Sequence, residues 1–521
     1  MIFGKDERRR TCRTSSEYLT KSAEIAAFWQ GLFCFSRAKS EKEQKKMEKA
    51  NKLGVKSVGK LIWSMGLPMI LSMMLQAVYN VVDTVFVINS KAGTYGNAAL
   101  TAAFPIQILM IAVGVGTGVG INALLSRKLG EKDFETVNKI AGNGIFLAAV
   151  IYAVFLVFGL FLAEPYMRLT SSDETVIKMG ADYLKICCCL SFGSIGYTVY
   201  ERFLQATGKT VHTMLAQISG AAANIILDYV FVIVLDGGVK GAAYATIIGQ
   251  ILSLAVATLV HYLCNKEING NPKYIRPRGK LIGAIYKIGV PAAIMQALLA
   301  VMMFVVLQIF RLVKNPVTAA LMVNAFGIYY KIMQTALFAC FGLSNTLITI
   351  TSYNFGLQSK RRLEQTAFFG LIDSVVLCLA ITLILQLCAI PVSNLFGLSL
   401  PEISGDGIAK ADILSACERA IRISTIGYAF MGVSVAVQGV LQGLGNVFKP
   451  IIVSLLRLII FLVPFAILFC LTENAPNNFW FTFPIAEVLT AIVSIFMLKK
   501  SLKYAFKEIA EENVLTAETT L

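Results

Sequence analysis

Histidine is nearly absent from this chain, charged side chains make up only 15 % of it, and tryptophan occurs three times. With only His212 and His261, and with no CxxC or Cys/His cluster, the sequence offers neither a metal-ligand pattern nor a histidine-based nucleophile. Both histidines fall near connector ends and are expected to be solvated. The eleven cysteines include the run Cys187-Cys188-Cys189, but adjacent helical positions point apart, so the thiols read as small apolar fillers and not as a disulfide framework. No phosphate-binding glycine loop is visible, and an integral membrane enzyme is therefore the weaker class of reading. The alternating pattern of a membrane barrel is missing too, which leaves helices as the way to satisfy a backbone in lipid.

What is present is apolar sequence, 56 % of 521 residues. Runs of about 20 apolar residues, each long enough to cross a 30 Å hydrocarbon core, recur along almost the whole chain. They predict an all-α integral membrane protein with about twelve spans: 61–89, 98–125, 137–162, 178–206, 210–235, 241–263, 281–313, 317–350, 363–390, 412–443, 448–471 and 479–500. The expected organisation is an amino lobe over 47–263, a polar linker over 264–280, a carboxyl lobe over 281–500 and a tail over 501–521. Residues 1–46 hold an apolar patch around Phe28 to Phe35 that is too short to span, and Met47 is a natural start, so this segment is expected to be disordered or an upstream misassignment.

The formal charge of +16 sits in short connectors and at the ends, which reads as a topology signal and not as a nucleic-acid surface. Arg127, Lys128 and Lys132, the linker cations Lys266, Lys273, Arg276, Arg278 and Lys280, the run Lys360-Arg361-Arg362, and tail residues Lys499, Lys500, Lys503 and Lys507 all fall on one side of the span count. By the positive-inside bias that side is cytoplasmic, with both termini on it, in a cell membrane. The connector between spans nine and ten instead carries Glu402, Asp406 and Asp412. Expected partners are small-molecule substrates and membrane lipids, with no nucleic acid and no obligate protein partner.

The two halves echo one another. Trp63-Ser-Met-Gly-Leu-Pro68 lines up with Tyr286-Lys-Ile-Gly-Val-Pro291, Ser126 to Gly130 with Ser352 to Gly356, and Phe203-Leu-Gln-Ala-Thr-Gly208 with Val440-Leu-Gln-Gly-Leu-Gly445. Even helix counts give the copies one orientation, related by an axis along the membrane normal. With Asn80 and Asp83 in the first span, Asn224-Ile-Ile-Leu-Asp228 in the fifth and Gly241-Ala-Ala-Tyr-Ala-Thr246 in the sixth, the pattern over about 55–505 resembles the multidrug and toxic compound extrusion (MATE) family. That resemblance implies two pseudo-symmetric six-helix lobes and export of amphipathic, often cationic compounds in exchange for H⁺ or Na⁺, with no cofactor.

Asp83 is a costly carboxylate, roughly 2.5–3.5 kcal/mol at the centre of a spanning helix on insertion scales. Gln76, Asn80 and Asp83 share one helical face, as do Asn224 and Asp228. Counted from the helix ends, Asp83, Asp228 and Thr246 all lie about 8–10 Å below the outer surface. Two carboxylates in one low-dielectric pocket repel, so one is expected to carry a proton; with the Asn224 amide and Thr246 hydroxyl the same oxygens suit Na⁺. Hydrogen bonding that merely fixes helix packing is the alternative. The resemblance implies an amino-lobe cation site at Asp83, Asn224, Asp228 and Thr246. NorM-type members carry acids in the seventh and tenth spans where this chain has Leu299 and Met431, and the repeat partner of Asp83 falls near Val306; coupling through the amino lobe, as in DinF-like or MepA-like branches, follows.

Other groups take supporting roles. Gln76, Tyr79 and Asn80 are candidate substrate contacts, and Phe86, Tyr329 and Tyr330 are aromatic candidates for the same cavity or for packing. Pro68, Glu201 and Arg202 read as gating or structural. Lys331 and Arg457 are expected to join Asp373 and Glu487 in a structural ion-pair network of the carboxyl lobe. A lipid-linked saccharide flippase of related architecture is the alternative transporter, though it would want cations for a pyrophosphate where this chain clusters acids. A channel sits poorly with the two-lobed repeat.

Overall fold

The computed structural model describes residues 51–88, 93–269, 272–396 and 408–518. The expectations for residues 1–46, Glu402 and Asp406 lie outside the described residues. The chain divides into two units, Met1–Val55 and Lys56–Leu521. Of the first, the described part is a short helix, Lys52–Val55; the second holds all the spanning helices.

Those helices are α1 (Val58–Ile88), α2 (Gly93–Gly130), α3 (Phe134–Thr170), a broken α4 (Glu174–Cys189 and Phe192–Ala206), α5 (Thr210–Val234) and α6 (Gly238–Cys264) in the amino lobe. The carboxyl lobe holds α7 (Gly279–Leu312), α8 (Pro316–Gly356), α9 (Lys360–Leu387), α10 (Lys410–Gly443), α11 (Phe448–Cys470) and α12 (Ala475–Glu511). Among the described residues eleven helices are long and apolar enough to cross a membrane without a break. The fourth span is the exception. Its expected continuous helix over 178–206 is interrupted at Leu190–Ser191, where the Ser191 hydroxyl donates to the Cys188 carbonyl at 2.8 Å.

Length follows from composition. Side-chain N-caps fix two of the helix starts: Asp133 accepts from the Thr136 amide at 3.0 Å and Asn315 from the Val317 amide at 3.0 Å. Pro68 and Pro291 sit inside α1 and α7, and both are buried. The carboxyl lobe has a large aromatic and aliphatic core in which Phe326, Tyr329, Phe479 and Trp480 are fully buried.

The lobes meet along the linker-side halves of α1, α2, α7 and α8. In α2, Gly116 and Gly120 lie four residues apart on one face. A Cβ on Gly116 would stand 2.6 Å from the Gly289 carbonyl oxygen of α7, and one on Gly120 would collide with the Ile285 carbonyl. Gly342 of α8 admits the backbone of α1 at Ile70, and Gly130 and Gly356 face each other where α2 and α8 end. Small residues let helix backbones approach where no water-driven force holds them. One polar pair spans this seam: Asn122 of α2 donates to the Thr349 hydroxyl of α8 at 3.0 Å, and that hydroxyl returns a bond to the Asn122 carbonyl oxygen at 3.2 Å.

The linker lies against the amino lobe. The Asn269 amide donates to Asn138 of α3 at 2.6 Å and the Arg278 amide to Asn143 at 2.9 Å. A leucine at Gly120 is expected to prop the seam open. A cysteine placed at Thr349 would then react faster with a water-soluble maleimide than in the Gly120 parent, and equal rates would show that this contact does not close the lobes.

Candidate functional site

The fifth and sixth helices set the frame of the site. Gly249 of α6 packs on Gly220 and Asn224 of α5, and Gly241 packs on Phe231. The helices are antiparallel, so this register places Thr246 level with about residue 227 of α5, beside Asp228. Glycine is required at Gly249, because a Cβ there would stand 2.7 Å from the Gly220 carbonyl oxygen and 3.0 Å from Cβ of Asn224. From the other side α1 packs on α5, and the rings of Phe86 and Tyr229 stand 6.4 Å apart. The backbone of Asp83 is therefore within one turn of the level of Asp228.

Asp228 has no exposed surface and Asn224 is buried one turn before it. Neither amide atom of Asn224 has a hydrogen-bond partner among the described residues. A buried primary amide left unbonded costs about 1–3 kcal/mol per group. Asp228 closes the α-helical part of α5: the next residues, Tyr229–Val234, continue as a π-helical turn, a distortion common at functional sites. Thr246 is half-buried. The side chains of Asn80 and Asp83 lie outside the described residues; Gln76 and Tyr79, on the same helix, are half-buried. The arrangement brings carboxylate, amide and hydroxyl oxygens of two helices to one level, a donor set suited to a proton or to a hard monovalent cation.

Several expected partners change. His261 is buried at 2 % exposure and is not solvated: it packs edge-on against Tyr200, with ring centroids 5.4 Å apart, and its Nδ1 meets the Asn265 amide at 3.2 Å. The same Asn265 accepts from Lys209 at 3.0 Å, and burial lowers that ammonium's pKa from its ordinary value. His261 lies in the last turn of α6, where the rings of Tyr200, Phe203 and Tyr262 cover it. His212 is half-buried.

The expected carboxyl-lobe network is split. Arg457 and Glu487 do pair, Nε to Oε1 at 2.6 Å, with Arg457 inside a π-helical turn of α11. Asp373 instead accepts from the Trp63 indole of α1 at 3.0 Å, across the two lobes, because the face of α9 that carries it lies against α1. Lys331 is exposed and pairs with no carboxylate among the described residues. Tyr329 is packing, fully buried between Trp480 and Phe483. Leu299, Met431 and Val306 are all buried in the apolar core of the carboxyl lobe.

Glu201 and Arg202 are buried at the linker-side end of α4. Arg202 donates to Gln205 at 2.8 Å and Gln205 to Glu201 at 2.8 Å. Arg202 rests on Gly118, which faces away from Gly116 and Gly120, so the charged cluster backs the α2 seam from inside the amino lobe. Sequence reading missed that seam; the alternating glycines Gly114, Gly116, Gly118 and Gly120 were its signal. Breaking the Arg457 and Glu487 pair by Arg457→Leu alone is expected to cost about 3–5 kcal/mol, and adding Glu487→Leu should recover most of it. Unfolding midpoints in detergent check this; equal losses in the single and double variants would oppose it.

The family model described as MatE matches residues 68–230 and 291–468. The multidrug export protein MepA of Staphylococcus haemolyticus is 25 % identical over 376 residues, 72 % of this chain and 81 % of that protein. MepA of Staphylococcus aureus is 22 % identical over 397 residues, 76 % and 84 % respectively. A solved outward-facing multidrug resistance MATE transporter superposes with a TM-score of 0.81 over 88 % of this chain and 99 % of its own, at 21 % identity.

Proposed function

Because the chain belongs to the MatE family, whose members are membrane transporters, we propose that this multidrug efflux protein works by antiport, exporting amphipathic, often cationic compounds against inward flow of H⁺ or Na⁺. One observation carries the reading: Asp228, without exposed surface, closes the α-helical part of α5 at the level of Thr246 and of the α1 turn that bears Asp83. A carboxylate inside a membrane protein is costly and is by default a functional group, which supports a cation-binding role here.

The mechanism follows from linkage. A cation that binds Asp83 and Asp228 more tightly in one lobe arrangement than in the other shifts the lobes toward the first, and equal affinity would move nothing. Asn224 and Thr246 orient the oxygens and complete the ligand set for Na⁺, or stabilise the protonated pair for H⁺. Closure on the linker side by the glycine seam opens the cleft on the opposite side, where release occurs. The linker side is the cytoplasmic one by its lysines and arginines, which puts both ends of the chain inside. Gln76, Tyr79 and Asn80, on the same helix as Asp83, form the amino-lobe wall that substrate meets.

Asp83→Asn and Asp228→Asn are each expected to reduce gradient-driven efflux in everted vesicles to the level of vesicles without the protein. Elution and thermal midpoint of the purified variants should stay near those of the parent. Imposing H⁺ and Na⁺ gradients separately assigns the ion. Efflux against a gradient by both variants would defeat the mechanism.

A further inference from the structure

Lys331 is fifteen residues after the start of α8 at Pro316, so about 22 Å of helix separates it from the nearer end. An ammonium in hydrocarbon is costly. It is nevertheless exposed, and no carboxylate among the described residues neutralises it. Water must reach it where it stands.

The helix face says from where. Asn324, Gly327, Lys331, Thr335 and Phe338 recur every three or four residues, and none of them is buried, whereas the rest of this stretch is mostly packed into the carboxyl lobe. A Cβ on Gly327 would meet nothing within 4 Å. Followed toward the linker side, the same stripe reaches Gly342, which packs on Ile70 of α1, and Thr349, which bonds Asn122 of α2. Thr349 is five full turns from Lys331 and so has the same azimuth. Lys331 therefore faces the amino lobe and not lipid, at a height where the two lobes have parted.

Its depth is set by the seam. Ile70 is level with Gly342 and Gly66 with Thr346 in antiparallel helices, so Lys331 is level with about residue 81 of α1, within one turn of Asn80 and Asp83. A cation thus stands on the carboxyl-lobe wall of the cleft, opposite the helix that bears the coupling acid.

We infer that Lys331 is a specificity-determining residue that receives the carboxylate of amphiphilic substrates, so that the cleft favours compounds bearing an acid group over their neutral or purely cationic counterparts. This deepens the export reading and rests on it in taking the cleft as the substrate site. An ammonium in a partly desolvated cleft makes a charge-assisted bond to a carboxylate, and the planar, always-charged guanidinium of arginine would make it as well. A cationic group on the same molecule is left pointing toward the acids of the amino lobe.

The test uses the purified full chain and a fluorescent xanthene dye in two forms, the free benzoate and its ethyl ester. Equilibrium binding by fluorescence anisotropy is expected to favour the acid by about tenfold in the parent. Lys331→Met should abolish that preference by weakening the acid alone, with ester binding unchanged, and Lys331→Arg should keep it. The inference is overturned if the parent binds both forms equally, if Lys331→Met leaves their ratio intact, or if it weakens both alike. Transport of the ester in proteoliposomes is scored separately: its absence in the parent under either ion gradient refutes antiport and leaves the binding result to judge Lys331.

Discussion

The close approach of α2 to α7 on the linker side is the contact on which the rest of the arrangement depends. Gly116 and Gly120 place backbone against the carbonyls of Ile285 and Gly289, and no side chain larger than hydrogen fits there. In lipid there is little hydrophobic drive between helices, so this nearness has to come from dispersion, assisted by polar bonds across the lobes such as Asn122 with Thr349 and Trp63 with Asp373. The contact is tight, and Val119, Ala123, Ile288, Ala292 and Ile348 pack beside it as a small apolar cluster that holds α2, α7 and α8 in register.

The register set by the seam then distributes the charges. On the amino-lobe side, Arg202 braces Gly118 from behind while Asp228 and Asn224 sit buried farther along the lobe. On the carboxyl-lobe side, charge is disposed in two ways. Arg457 and Glu487 neutralise one another inside the bundle, a closed arrangement with no use for an added ion. Lys331 stands on the open face of α8 at the height of the amino-lobe acids. The pseudo-symmetric halves thus dispose their charges differently, yet both use a π-helical turn in the fifth helix of the lobe to seat a charged residue, Asp228 before it and Arg457 within it.

Much of the fold was legible in residue order. Apolar runs of spanning length, the early prolines Pro68 and Pro291, and the matched turns ending at Gly208 and Gly445 are local features, and local features survive into the structure because a backbone in lipid has no other way to satisfy itself. The break at Leu190–Ser191 was not legible, since single serines also occur inside unbroken spans of this chain; there the Ser191 hydroxyl bonds the Cys188 carbonyl. The candidate site was half legible. The spacing of Asn224 and Asp228 nominates them together and counting from the helix ends puts Thr246 at their depth, but which faces of α5 and α6 meet comes from the glycine contacts between them.

The sequence by itself determined that this is a twelve-span, two-lobed membrane protein, and which acids and amides lie within one helix turn of one another. Only the tertiary structure decided which distant groups meet: that Asp373 takes Trp63 and not Lys331, that His261 leaves water, and that Lys331 stays exposed within α8. The reason is geometric. Periodicity says which residues share a face, but not what that face is turned toward, and in a chain whose lipid-facing and core-facing surfaces are equally apolar, packing alone makes the choice.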